Sequence, residues 1–378
     1  MNLNILSLFV LTIPFSLFFS GCDRRDAARQ VGPNGEASSE NHTAATQRSA
    51  TGSGLVYTAD ERGNSISVIN IASGQVRKVP ISVAPHNVQI SNDGRWLLVV
   101  GAPATGGGHS HGEKDGKHDE AGGHRASPGK VLIFDTGEMD SGEDPAAVEV
   151  GRHPAHVVID PQGKFIYATN SEDDTVSVID AAQKRQVKTI ATGKFPHGLR
   201  MSPDGREIYT ANVNDGTVSV ISTAEQKEVA RVPVGKSPVQ VGFTPDGKRV
   251  YVSLRDENAV TVIDTAARRK ISSVPVGSQP IQMFATPDGR FVYVANQGTE
   301  SSPGNTVSVI DAGSNQVAAT ITVGKGAHGV VASSDGSRIF ITCTFDDTVS
   351  VIDTATQKVV NTFRVGDAPN GITYKSAI

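Results

Sequence analysis

Histidines at recurring positions are the residues of this chain best placed to do chemistry. His86, His197 and His328 each directly follow the residue that opens a short alternating segment. His156 lies one place further along a similar segment, and His153 comes just before that segment. Neutral imidazole is a ligand that suits Zn²⁺, Cu²⁺ and Ni²⁺. If the segments lie side by side in the fold, their rings can meet and hold a metal ion.

A second group of histidines lies in an insertion that spans about residues 102–129. The tract is rich in glycine and acidic residues and has no large apolar side chain around which to fold. Short His-rich tracts of this kind bind metal, and a flexible loop predicts weak, exchangeable binding. The alternative is a disordered loop without a role. Its histidines are His109, His111, His118 and His124.

The segments that carry the first group belong to a repeat. In the unit that begins at Phe195, the pieces 195–205, 208–212, 217–221 and 229–235 alternate apolar and polar residues, as half-buried strands do. Pro-Asp-Gly makes the first turn, and Gly or Asn residues make the later ones. Each unit therefore predicts four short antiparallel strands, which we name A to D in chain order.

The residues that open strand A set the number of units. Their successive spacings are 69, 42, 42, 42, 47 and 42 residues. Seven A strands predict an all-β fold, a seven-bladed β-propeller of four-stranded blades. Because the chain starts at strand B of blade 1 and ends with an A strand, the C-terminal strand is expected to close the ring. The opening residues are Pro85, Pro154, Pro196, Pro238, Pro280, Ala327 and Pro369.

The predicted topology gathers the histidines at one end of the channel. Strands alternate in direction, so the D–A and B–C loops share one mouth, which we call the histidine mouth. The first spacing exceeds the usual spacing of 42 by 27 residues, which marks the His-rich insertion in the B–C loop of blade 2. Nine of the ten histidines map to this mouth, all except His42. His86, His156 and His197, in adjacent blades, are expected to converge, whereas His328 lies across the ring. The alternative is that these rings only hydrogen-bond between neighbouring blades.

The repeats resemble those of the YVTN family of β-propellers. The matching pieces are followed by Val-Ser-Val-Ile segments, and the resemblance covers residues 54–378. It implies a propeller fold and leaves the function open, since the family includes binding proteins, lactonase-like enzymes and relatives of the haem d1 propellers. The clearest matches are Tyr167-Ala168-Thr169-Asn170, Tyr209-Thr210-Ala211-Asn212 and Tyr293-Val294-Ala295-Asn296.

The N-terminus predicts export and a lipid anchor. Residues 1–21 are an apolar signal segment, and Ser20-Gly21-Cys22 resembles the lipobox at which bacterial lipoproteins are lipidated on cysteine. Residues 22–53 are polar and predict a flexible tether. We therefore expect a protein anchored through Cys22 on the periplasmic side of a membrane. Asp23 resembles an inner-membrane retention signal.

Composition narrows the partners and the redox chemistry. The net charge is −4, and no basic stripe predicts binding to nucleic acid. With Cys22 in the signal junction, Cys343 is the only cysteine of the folded part, so no internal disulfide can form. Cys343 replaces the Asn of a Tyr-Val-Ala-Asn piece. It is a candidate accessory metal ligand beside His328, or a small buried side chain.

These observations favour a periplasmic binding protein for zinc or copper that sequesters the metal or passes it to a partner. An enzyme is less favoured, because no decisive acid–base pair, nucleophile elbow or phosphate loop is present. The enzymatic alternative is a lactonase-like hydrolase, or an oxidoreductase with a metal or tetrapyrrole in the funnel. The third reading is a scaffold that binds another envelope protein.

Overall fold

The described part of the chain forms seven four-stranded antiparallel sheets. The computed structural model describes residues 53–104, 127–139 and 141–377. In each sheet the strands are paired in the order A to D. The seven inner strands contact one another in a closed series, β28, β4, β8, β12, β16, β20, β24 and back to β28. The all-β, seven-bladed propeller that the repeats predict is confirmed.

The strands of blades 1 to 3 occupy the first half of the described chain. Blade 1 contains β1 Leu55–Asp60, β2 Ser65–Asn70 and β3 Val76–Pro80. Blade 2 contains β4 Val83–Ile90, β5 Trp96–Pro103, β6 Pro128–Asp135 and β7 Ala146–Arg152. Blade 3 contains β8 Pro154–Ile159, β9 Phe165–Asn170, β10 Thr175–Asp180 and β11 Arg185–Ala191.

The remaining blades follow with the same order of strands. Blade 4 contains β12 Pro196–Met201, β13 Glu207–Asn212, β14 Thr217–Ser222 and β15 Lys227–Pro233. Blade 5 contains β16 Pro238–Phe243, β17 Arg249–Leu254, β18 Ala259–Asp264 and β19 Arg269–Pro275. Blade 6 contains β20 Pro280–Ala285, β21 Phe291–Gly298, β22 Pro303–Asp311 and β23 Gln316–Thr322. Blade 7 contains β24 Ala327–Ala332, β25 Arg338–Cys343, β26 Thr348–Asp353 and β27 Lys358–Arg364, and β28 Pro369–Lys375 completes blade 1.

Two short 3₁₀ turns, Ser171–Asp173 and Arg255–Glu257, lie in B–C loops. Among the described residues, no helix has the length and apolar character needed to cross a membrane.

The ring closes through the two ends of the described chain. Strand β28 pairs antiparallel with β1, and Tyr374 lies opposite Val56 while Ile372 lies opposite Thr58. The last strand therefore serves as strand A of the first blade, as the sequence predicts. Closure of this kind leaves only short, protected sheet edges.

The core lies between the blades and is anchored by a buried aromatic residue on strand B of six blades and by Leu98 at the same place in blade 2. Alternation along strand B turns this side chain toward the neighbouring blade. Tyr209, for example, is fully buried and packs edge-to-face on Phe243 of the next blade, with 5.0 Å between ring centroids. These rings hold adjacent blades at a constant spacing around the channel. The buried aromatics are Tyr57, Tyr167, Tyr209, Tyr251, Tyr293 and Phe340.

A β-bulge interrupts the start of strand A in every blade. In blade 4, Pro196 pairs with Asn212, but the next pair joins Leu199 to Thr210, so strand A carries one extra residue. The same shift occurs in the other six A–B pairs. A bulge re-aims the side chains that it contains. Here it contains the second and third residues of strand A, which are the positions of the channel histidines.

Candidate metal centre

The bulges place a polar ring inside the channel at the histidine mouth. Every blade supplies at least one polar side chain from the second or third position of strand A. Positions are counted here from the residue that opens strand A. When the third residue is Gln, or His in blade 3, the second residue is small or apolar. When the third residue is Gly, the second residue is His or Asn. The pairs, from blade 1 to blade 7, are Asn370-Gly371, His86-Asn87, Ala155-His156, His197-Gly198, Val239-Gln240, Ile281-Gln282 and His328-Gly329.

The glycines of these pairs make room for the next blade. A Cβ added at Gly198 would lie 2.3 Å from Oε1 of Gln240, and one at Gly329 would lie 2.4 Å from the carbonyl oxygen of Asn370. A side chain at either place would therefore push the ring apart. The His-Gly pairing is a packing requirement of the crowded channel.

Three histidines of the ring form a compact group, which we call the histidine cluster: His86, His156 and His197. One nitrogen of each ring lies within 4.8 Å of the corresponding nitrogens of the other two. The Nε2 atoms of His86 and His197, which come from blades 2 and 4, are 3.2 Å apart. Ring centroids are 5.1 Å apart for His156 and His197 and 5.9 Å apart for His86 and His156. These three side chains lie close enough to hold one metal ion.

His156 carries a buried nitrogen that lacks a partner. Its side chain is fully buried, and its Nε2 makes no hydrogen bond among the described residues. A buried polar atom without a partner costs about 1–3 kcal/mol. A metal ion that is coordinated by this nitrogen removes that cost.

The other ring nitrogen of each cluster histidine faces a polar neighbour. His86 Nδ1 lies 3.4 Å from the carboxylate of Glu61, in the B–C loop of blade 1. His197 Nδ1 lies 3.2 Å from the carbonyl oxygen of Val239. His156 Nδ1 lies 3.3 Å from the side-chain amide nitrogen of Gln240. The carboxylate and the carbonyl are acceptors of the kind that orient metal-binding imidazoles through the far nitrogen, whereas the Gln240 amide nitrogen is a donor.

Burial and the repulsion between neighbouring rings keep His156, His197 and His328 neutral. Burial, followed by the charge of His197, holds the pKa of His156 well below its usual value. Burial and then the charge of His86 do the same to the pKa of His197. For His328 burial is again the main cause, and the pKa falls to about 3. Neutral imidazole is the form that binds metal, so no proton needs to be displaced from these rings at neutral pH.

His328 reaches the edge of the cluster from blade 7. Its ring centroid lies 6.4 Å from that of His86, although it is outside the group whose nitrogens lie within 4.8 Å. Its Nδ1 lies 3.5 Å from the amide nitrogen of Gln282. The narrowness of the channel therefore brings blade 7 nearer to blade 2 than their places in the sequence suggest.

The remaining candidate residues lie apart from the cluster. His153 has a φ of 49°, and its ring lies 5.7 Å from that of Phe195 and 3.8 Å from the carboxylate of Glu172. Cys343 is buried in the core of blade 7, with its Sγ 3.5 Å from Oγ of Ser350. Burial raises the pKa of this thiol. Cys22 and the insertion histidines His109, His111, His118 and His124 lie outside the described residues.

Sequence reasoning missed the neighbours that orient the cluster. Glu61 stands in a B–C loop without a motif to distinguish it from other loop acids. Gln240 and Gln282 occupy the place of His156 in blades 5 and 6, so an alignment of the repeats on strand A could have found them. The bulge itself has no signature in residue type.

Comparisons with known proteins agree with this architecture. Residues 155–253 match the family described as YNCE-like beta-propeller. No curated protein matches the chain. Among solved structures, the chain is similar to the periplasmic gluconolactonase PpgL of Pseudomonas aeruginosa, with 19% identity and a TM-score of 0.66 over 86% of this chain and 99% of that one. It is also similar to Kuenenia stuttgartiensis hydrazine synthase, with 19% identity and a TM-score of 0.61 over 78% and 95%.

A third similar structure is the dihydro-heme d1 dehydrogenase NirN, with 14% identity and a TM-score of 0.58 over 85% of this chain and 75% of that one. At such identities the likeness to these structures shows the fold alone. The closed ring and the repeats identify the chain as a seven-bladed β-propeller, and residues 155–253 are similar to the YNCE-like propellers.

Proposed function

We propose that this propeller binds a transition metal, zinc or copper, through His86, His156 and His197. The observation that carries the proposal is the 3.2 Å separation of two Nε2 atoms from blades 2 and 4. Two imidazole nitrogens on one tetrahedral Zn²⁺ lie about 3.3 Å apart, given Zn–N distances of about 2.0–2.1 Å. The unpartnered Nε2 of His156 supplies the third ligand.

The surroundings of the cluster support ligation through Nε2. A proton on His86 Nδ1 points toward the Glu61 carboxylate, and one on His197 Nδ1 points toward the Val239 carbonyl. Both arrangements leave Nε2 unprotonated and able to bind. With Nε2 of His156 on a metal, its proton lies on Nδ1, and the Gln240 amide would have to rotate, giving up the hydrogen bond that its oxygen accepts from the Val241 N–H, to offer an oxygen to that proton.

Access to the cluster is from the histidine mouth. The side chain of His86 is 17% exposed, whereas His156 is fully buried beneath it. The insertion starts and ends at this mouth, because it joins β5 to β6. We propose that its histidines capture metal weakly and release it to the cluster, where rigid strands define a tighter site. His328 is the available fourth ligand.

We place this activity in the cell envelope. The signal segment 1–21, the lipobox-like junction at Cys22 and the polar tether 22–53 support export and lipid anchoring. The bound metal would then be held at a membrane surface, for sequestration or for delivery to an envelope partner.

The anchoring proposal has a direct test. Replacing Cys22 with Ser removes the thiol that accepts the lipid, so the protein should move from the membrane fraction to the soluble periplasmic fraction. Fractionation of cells followed by immunodetection measures this. Unchanged membrane association of C22S would refute the lipid anchor.

The test of the metal site is titration of Zn²⁺ and Cu²⁺ into protein purified without a histidine tag. Two classes of binding are expected, a tight one from the cluster and a weak one from the insertion. Replacing His86, His156 and His197 together with Ala should abolish the tight class and keep the weak one. His153→Ala is the matched control, because His153 lies at the same mouth but outside the cluster, and it should bind like the parent. A triple variant that keeps the tight class would contradict the site and favour the scaffold reading.

A second candidate function is hydrolysis of a lactone at the bound metal. Three histidine ligands leave one tetrahedral position open for water, and zinc lowers the pKa of such a water to about 7. Glu61 contacts the far nitrogen of His86, so it would orient this ligand. The likeness to a gluconolactonase suggests lactones as the substrates to screen. Turnover that is lost in the triple variant would favour this reading over simple metal storage.

A further inference from the structure

The opposite end of the channel, the far mouth, contains a cavity of about 450 Å³. It lies where the A strands end and the A–B turns begin. Its walls come from several blades and combine polar residues with an apolar group made of Phe284, Val331, Ile372 and Tyr374. A cavity of this size can enclose a small organic molecule.

One cation of this cavity stands without an acidic partner. Arg200, on strand A of blade 4, lines the cavity together with residues from blades 1, 2, 6 and 7, so its side chain extends across the channel. Its guanidinium donates to the carbonyl oxygen of Leu199, at 3.2 Å. Among the described residues, no carboxylate pairs with it. Burial lowers the pKa of Arg200 to about 10, which still leaves it charged at neutral pH.

The other two charged residues of the cavity, Asp93 and Lys375, make hydrogen bonds with uncharged groups. The Asp93 carboxylate accepts hydrogen bonds from the Ser91 hydroxyl and from the backbone N–H of Arg95, at 3.0 Å for the latter. The Lys375 ammonium donates to the Thr136 hydroxyl at 2.8 Å. Neither set of bonds pairs opposite charges, so Arg200 and Lys375 are both cations that a bound anion can meet, and Arg200 is the one that extends across the channel.

We propose that the far-mouth cavity binds an organic carboxylate with an apolar body, whose carboxylate pairs with the Arg200 guanidinium. A guanidinium matches a carboxylate with two parallel hydrogen bonds. The apolar walls would cover the rest of the ligand. A charge withdrawn from water without a partner is costly, and an anionic ligand removes that cost.

This site is separate from the histidine cluster. Arg200 lies three residues beyond His197 on the same strand, which is about 10 Å at 3.3 Å per residue. The channel therefore offers a metal site at one mouth and an anion site toward the other. The two sites share no residue, but the charge of Arg200 contributes to lowering the pKa of His156, so the zinc titration of each Arg200 variant is measured as well.

Calorimetric titration of benzoate and of inorganic phosphate into the protein tests the inference. Benzoate should bind the parent, and Arg200→Gln should weaken it by at least about tenfold, because a charged hydrogen-bonded pair is lost. Arg206→Gln is the matched control: Arg206 belongs to the same blade and the same mouth, but its side chain is 85% exposed. Phosphate should bind more weakly than benzoate, since it gains nothing from apolar walls.

Thermal unfolding without added anion separates a binding role from a structural one. Arg200→Gln and Arg200→Met should have midpoints equal to or above that of the parent, since each removes a partly buried charge that has no carboxylate partner among the described residues. Both should keep the parent's zinc titration. Equal benzoate affinity in the parent and Arg200→Gln would overturn the proposal. Tighter binding of phosphate than of benzoate by the parent would also overturn it. So would a thermal midpoint that is lower than the parent's in both variants and that added benzoate does not change.

Discussion

Glu61 links the histidine cluster to the loop that frames its mouth. Its carboxylate contacts His86 Nδ1 at 3.4 Å and also accepts a hydrogen bond from the Asn370 side chain. Asn370 in turn lies 3.5 Å from the same nitrogen of His86. A carboxylate in this place fixes the ring orientation and raises the basicity of the metal-binding nitrogen.

Replacing Glu61 with Gln should weaken tight zinc binding about 10- to 100-fold, which is the usual cost of losing such a contact. The amide keeps the size of the side chain but removes its charge. Competition titration with a zinc chelator measures the change. Glu300→Gln is the control, because Glu300 is an exposed acid that pairs with Arg62. If both variants lose the same amount of zinc affinity, the effect comes from the overall charge of the histidine mouth.

At the residue scale, the sequence predicts which side chains converge but not how they are oriented. Repeat spacing alone placed His86, His156 and His197 at one mouth. The contact between the Nε2 atoms of His86 and His197 depends on the bulge and on the channel width. The role of Gly198 becomes visible only beside Gln240 of the next blade. Such features arise from packing between blades, which no local pattern encodes.

At the element scale, acids of the B–C loops hold the D–A loops that lead into strand A. Asp174 accepts a hydrogen bond from the backbone N–H of Phe195, at 2.8 Å, just before the strand that carries His197. Asp215 accepts from the backbone N–H of Lys194 at 2.9 Å. Asp174 thus joins the B–C loop of blade 3 to the D–A loop that leads into blade 4, whereas Asp215 joins that same D–A loop to the B–C loop of blade 4 itself. Asp215 also accepts a hydrogen bond from the hydroxyl of Thr217, at the start of strand C.

The His-rich insertion should be dispensable for folding. Strands β5 and β6 pair from Trp96 with Asp135 to Gly101 with Lys130, independently of the residues between them. Lengthening a surface loop costs little, because closure entropy grows only with the logarithm of length. Deleting 106–123 should leave the thermal midpoint within a few degrees and remove only the weak class of metal binding. A large loss of stability in the deletion would show that the insertion packs on the propeller.

The insertion also shows how far element-level prediction extends. The excess of 27 residues in one repeat spacing located it between strands B and C of blade 2, and the bounds of β5 and β6 agree. The strand count, the strand order and the closing strand follow from the same repeat. The bulges do not, since they depend on how strand A meets its neighbours around a crowded axis.

At the scale of the whole molecule, the cluster joins blades that are not adjacent in the ring. A metal held by His86 and His197 links blades 2 and 4 through the channel, with His156 of blade 3 between them. Because the ion binds only the folded ring, it raises the free energy of unfolding, by about 2.7 kcal/mol at a hundredfold excess over the dissociation constant. The closed ring makes this stabilisation a property of the entire propeller.

The metal-free protein should lose stability as the pH falls below about 6.5. Burial lowers the pKa of His328 to about 3 in the folded chain, whereas an unfolded histidine titrates near 6.5. Between these values the unfolded chain binds a proton that the folded chain does not, so the free energy of unfolding falls by up to about 1.4 kcal/mol per pH unit for this group. Denaturant unfolding with chelator present, from pH 8 to pH 4, measures the slope.

His328→Asn, which copies the Asn-Gly pair of blade 1, should flatten the dependence of the unfolding free energy on pH below pH 6.5 and leave it unchanged above pH 7. Gln282→Asn, the control, alters the neighbour of His328 without removing a titrating group. If the slopes of the parent and His328→Asn coincide, His328 is not held neutral in the folded channel.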